Sequence, residues 1–100
     1  MRLTPREHDR LLVFLGAELA RRRRAHGLRL NHPEAAALIC DEVLEAAREG
    51  ATYEEAVARG GGVLRREDVM DGVPEMLAGL QVEALFRDGT RLVHLERPVP

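Results

Sequence analysis

Three helix-start signals of one design recur along the chain, and they constrain its fold more than any other feature. Thr4-Pro5-Arg6-Glu7 and Thr52-Tyr53-Glu54-Glu55 are capping boxes, and Asn31-His32-Pro33-Glu34 opens in the same style, with Asn31 or His32 near the cap. In such a box a short side chain accepts from an orphan N–H of the first turn, while the glutamate three places on reaches back to the cap amide. Proline at the first helical position loses no hydrogen bond there. The chain is therefore expected to begin as a series of helices.

Behind the first signal, Leu11, Leu12, Leu15 and Leu19 recur at helical spacing until Gly27 supplies the stop. Those leucines are expected to serve the chain's own core, leaving Val13, Phe14, Ala17 and Ala20 in need of a second cover. The second helix buries Ala36, Ile39, Cys40, Val43 and Ala47 and ends at Gly50. A short third helix stops at Gly60-Gly61-Gly62, a triplet that reads as a loop, and a fourth covers Arg66 to Asp71. The period then falls from 3.6 to 2. Gln81 to Phe86 and Arg91 to Glu96 alternate about Asp88-Gly89, the two-residue turn signal.

Pairing about that turn sets Val82, Ala84 and Phe86 opposite Leu95, Val93 and Arg91 on one face. Leu85 opposite Leu92, and Glu83 opposite His94 as an ion pair, make the other face. The fold class is α+β: a mainly helical body of two long and two short helices, closed by a C-terminal two-stranded antiparallel hairpin. One hundred residues make a single domain, 1–100, with no internal repeat.

Composition excludes several functions. Aromatic residues make up 3% of the chain, too few for the stacking platforms of single-strand binders, and the net charge is −2. All 15 basic residues are arginine, so no Schiff base, phosphate-loop lysine or carbamylated lysine can form. There is no serine, and Cys40 lies on an apolar helix face with no base beside it in sequence. His8, His26, His32 and His94 share no metal-ligand spacing. A single cysteine fits a reducing, cytoplasmic location. The longest apolar run, Leu11 to Ala17, is too short to span a membrane, and Glu7 and Asp9 spoil it as a leader. Arg21 to Arg24 point all round their helix and read as solvated cations at its C-terminal end. The alternative is a small Arg-rich nucleic-acid-binding module, whose affinity would fall steeply with salt.

Apolar surplus is the feature left over. Val13, Phe14 and Ala17 on the first helix, with Leu85 and Leu92 on the hairpin's second face, are the candidate contacts with another chain.

Four blocks carry a resemblance. Met1 to Glu7, Gly27-Leu28-Arg29-Leu30-Asn31-His32-Pro33-Glu34-Ala35, Gly72-Val73-Pro74-Glu75-Met76, and Gln81-Val82-Glu83-Ala84 with Phe86 and Asp88-Gly89-Thr90 closely resemble the urease gamma subunit, in order and spacing over the whole chain. Departures are Arg65, where that family often has a capping Thr, Arg87, where Pro often precedes Asp-Gly, and Cys40, where a small polar residue is usual. The resemblance implies a small non-catalytic chain packed with alpha and beta subunits, typically as a trimer of heterotrimers. It places urea hydrolysis at a dinickel centre in the alpha subunit, held by histidines, a carboxylate and a bridging carbamylated lysine. On that footing the chain itself has no cofactor, no metal and no catalytic residue, and binds neither nucleic acid nor membrane.

Overall fold

All three caps close in the computed structural model, which describes residues 1–100. Thr4 Oγ1 accepts from the Glu7 amide at 3.1 Å, and Glu7 Oε1 accepts from the Thr4 amide at 2.8 Å. The same reciprocal pair joins Asn31 to Glu34 and Thr52 to Glu55, so Asn31 rather than His32 is the second cap. From these starts run α1 (Pro5–Ala25), α2 (His32–Arg48) and α3 (Tyr53–Gly61). A single 3-10 turn, Arg66–Asp68, and a one-turn helix α4 (Val73–Met76) lead into β1 (Leu80–Phe86) and β2 (Gly89–Leu95).

The helix expected over Arg66 to Asp71 is thus reduced to one turn. Arg65 offers no hydroxyl, and its amide is held only by Asp68 Oδ2 at 2.8 Å. Val69 is then pulled into an isolated parallel bridge with Leu30, where Leu30 donates to Asp68 O and Met70 donates to Leu30 O, each at 2.9 Å. Both bridge residues are completely buried, and that burial outweighs the continuation of a marginal helix.

α2 is the central element, touching α1, α3, α4 and β1. Its buried face holds Ile39, Val43 and Ala47 as expected, together with Ala35, Leu38 and Ala46, whereas Ala36 and Cys40 are half-buried. Leu30, Leu64, Val69, Leu77 and Val93 close the core around it.

α1 is rotated from the expected orientation by roughly half a turn. Ala17 and Ala20 are completely buried, while Leu11, Leu12, Leu15 and Leu19 face outward. Close approach and charge both favour this choice. A Cβ added at Gly16 would meet Ala37 Cβ at 3.0 Å, so the small residues of α1 lie directly on α2. Arg10 and Arg21 share that side of the helix and meet the acids of α2.

In the hairpin the faces are as expected but the register is offset by two residues. Phe86 pairs with Gly89, Ala84 with Arg91 and Val82 with Val93. Leu85 faces Thr90, and Glu83 faces Leu92. The turn is Arg87-Asp88, not Asp88-Gly89. A mirror-type turn over Asp88-Gly89 needs positive φ at its first central residue, Asp88, and no residue other than glycine has one here. Gly89, at φ 123°, instead supplies the positive φ that closes a turn begun by two ordinary residues. An even offset keeps each side chain on its face. The expected Glu83–His94 ion pair is absent, because His94 Nδ1 lies 3.2 Å from the Gln81 amide nitrogen.

The glycine triplet is not a loop. Gly60 and Gly61 complete α3, and a Cβ on Gly60 would stand 2.7 Å from Val43 Cγ2 and 3.2 Å from Leu95 Cδ1. Glycine there lets α3 lie against α2 and β2.

Candidate functional site

Electrostatics fix α1 on α2 and so decide what α1 turns outward. Asp41, in the middle of α2, is only 2% exposed yet ionic on both sides. Arg10 Nη1 donates to its Oδ1 at 2.8 Å and Arg21 Nη2 to its Oδ2 at 2.7 Å. The same arginines reach Glu45 at 2.8 Å and Glu42 at 2.6 Å. Arg59 of α3 joins by donating to Glu42 at 3.1 Å and Glu49 at 2.6 Å. Burial works against the Arg21 charge, but its bonds to Asp41, Glu42 and Glu18 outweigh that and raise its pKa.

The arginine run is largely neutralised in this way. Besides Arg21, Arg23 is bound to Glu34, and Arg24 donates to Asp68 at 3.2 Å. Arg22, Arg23 and Arg24 remain exposed at the end of α1, as the sequence suggests, but all except Arg22 also bridge to carboxylates of the chain. Cys40 is half-buried, and desolvation, with the nearby Asp41 charge, pushes its thiol up to about 11. Thiolate is therefore scarce near neutral pH.

Burial raises the pKa of Glu34, but the Asn31 amide and Arg23 more than offset it, so the net shift is downward. A lowered folded pKa contributes stability that is complete above the unfolded value and lost as pH falls through the folded one. With an ordinary value of 4.5, the melting temperature is expected to hold near neutrality and decline below about pH 4.5. Glu34→Gln should flatten that acid limb in a pH series of thermal melts.

Of the proposed contact residues, Ala17 is covered by the chain's own α2 and has no surface to offer. Val13 is half-buried, and Phe14 is 43% exposed. Leu85 and Leu92 are 67% and 54% exposed on the outer face of the hairpin. The residues missed are the leucines assigned to the core. Leu11, Leu12, Leu15 and Leu19 make an outward stripe along α1, each roughly half exposed. The nine residues from Leu11 to Leu19 give this stripe a length of about 12 Å. The signal was the apolar surplus itself, attached to the wrong face.

The four histidines lie on α1, just beyond its end, at the start of α2 and on β2. No three His, Cys, Asp or Glu side chains gather where a metal ion could be held. No helix is long and apolar enough to cross a membrane. A family model described as urease, gamma subunit, matches residues 1–99.

Proposed function

The chain belongs to the urease gamma-subunit family, and from that membership we propose that it is the non-catalytic scaffold of a complex hydrolysing urea to ammonia and carbamate. The observation that carries the scaffold role is the apolar surface turned outward. Four half-exposed leucines on α1, with Leu85 and Leu92 on the hairpin, are costly in water and stabilising against another chain. In this reading alpha and beta subunits cover them, in a cytoplasmic trimer of heterotrimers. The dinickel centre belongs to the alpha subunit. This chain's side chains do not fit it: the histidines do not converge, and there is no lysine to carbamylate. Its own contribution is to bury surface and hold its partners in a fixed relation.

A nucleic-acid role for Arg21 to Arg24 has less support, because three of the four are bound to carboxylates and the net charge is −2. The test is the double variant Leu85→Glu with Leu92→Glu, co-expressed with the other urease subunits. Helix content of the isolated variant should survive, since neither residue is in the core. Recovery in the complex should fall at least about tenfold, given about 1–2 kcal/mol of lost burial for each leucine. Unchanged recovery together with an unfolded isolated chain would return both leucines to the chain's own core.

A further inference from the structure

We propose that the outer edge of β1 accepts an extended segment of a partner subunit as a third strand, lying between β1 and the first half of α1. This rests on the chain being a subunit of a larger assembly.

The ladder shows which main-chain groups are free. The His94 amide points away from β1, since it donates to Tyr53 Oη at 3.2 Å. His94 pairs with Gln81, so by alternation Gln81, Glu83 and Leu85 also turn their N–H and C=O groups outward. Tyr53 closes part of the β2 edge. No loop, turn or side-chain group of the chain bonds the amides on the β1 edge. Such an edge is a template for a further strand.

Space lies beside it. A groove of about 880 Å³ is lined by the four consecutive residues Val82 to Leu85 and by Thr90 alone from β2. Successive strand residues face opposite sides of a sheet, so a groove touching all four runs along the edge and not over a face. Its far wall is Leu3, Leu11 and Val13 of the α1 end, and Leu44 of α2 contributes to the floor. An added strand therefore meets apolar side chains as well as backbone.

Charge selects the occupant. Arg10 is already committed to Asp41 and Glu45, and Arg6 stands 3.8 Å from Glu83. Asp9 and Arg48 also line the groove and form no ion pair within the chain. The fitting strand carries a base toward Asp9, an acid toward Arg48 and apolar residues at alternate positions. A second copy of this chain fits poorly. Two β1 edges paired about a two-fold through the middle of the free trio set Glu83 against Glu83, and like charges directly opposite are destabilising.

Hydrogen exchange in the assembled urease, compared with the isolated chain, tests this. Amides of Gln81, Glu83 and Leu85 should exchange freely in isolation and slow by about tenfold or more in the complex. Glu83→Pro removes one outward N–H at a position where an edge strand tolerates proline, and should cut recovery in the complex about tenfold. Glu83→Gln keeps the N–H and should assemble normally. Strand addition is overturned if the three amides exchange equally fast in complex and in isolation, or if the proline variant assembles as wild type does. Should that variant misfold, the wild-type exchange rates decide. Protection that grows with concentration in the isolated chain would overturn the heterologous occupant in favour of a second copy. Failure of the wild-type chain to join any urease subunit would instead sink the scaffold reading, a different result from joining with these amides still exposed.

Discussion

Replacing Arg10 and Arg21 together by alanine is expected to destabilise the isolated chain by about 3–5 kcal/mol, the range for a buried charge stripped of its partners. Asp41 is 2% exposed, and these two arginines are its only ion-pair partners. With both gone the carboxylate must be buried uncompensated, be protonated, or be released by moving α1 off α2. Domains of this kind have about 5–15 kcal/mol of stability in all, so the change should be plain in guanidinium unfolding. Either single variant leaves one guanidinium in place and should cost less. The sum of the two single effects should fall short of the double, because the residues share a partner. Additive effects would show that Asp41 is not the common acceptor.

The opposite result is expected on the other side of the same helix. Replacing Leu11, Leu15 and Leu19 together by glutamine should lower the isolated chain's melting temperature by only a few degrees, because the glutamine methylenes keep part of each leucine's contact at home. Their exposures are 45%, 61% and 44%, so only part of each side chain is packed at home. Glutamine also has good helix propensity and adds no charge repulsion along the turn. Incorporation into urease should collapse. At about 1 kcal/mol for the remaining half of each leucine, three together correspond to roughly a hundredfold in binding. Co-purification with the other subunits measures it. An unfolded triple variant would show that the stripe stabilises the chain itself, and unaltered co-purification would show that it faces solvent in the complex.

The two experiments separate the face of α1 that packs on α2 from the face that points outward. The expected assignment is reversed for the four leucines, Ala17 and Ala20, whereas Phe14 faces outward as expected and Val13 is half-buried. Leucine at positions 11, 12, 15 and 19 has the helical period of a core stripe, and period alone cannot say which side of a helix faces home. The orientation depends on Gly16 resting on Ala37 and on Arg10 and Arg21 meeting Asp41, contacts 20 to 31 residues apart in the chain. The hairpin differs in kind. Its alternation assigned every side chain to the correct face, and the structure moved only the register, by an even number of residues.

Features made within a few residues of one another are legible from the amino acids alone. Thr4, Asn31 and Thr52 with their glutamates start three helices, because each cap is made and satisfied within four residues. Alternation on either side of Arg87-Asp88-Gly89 makes a hairpin, and the four sequence blocks place the chain in its family. Tertiary structure decided whatever needed a distant partner. It shortened the fourth helix because Val69 gains more by burial beside Leu30, and it set Gly60 of α3 against Val43 and Leu95, where there is no room for a Cβ. It also set the leucines of α1 outward, because a buried carboxylate on α2 must be matched by cations and no comparable demand acts on an apolar stripe that a second chain can cover.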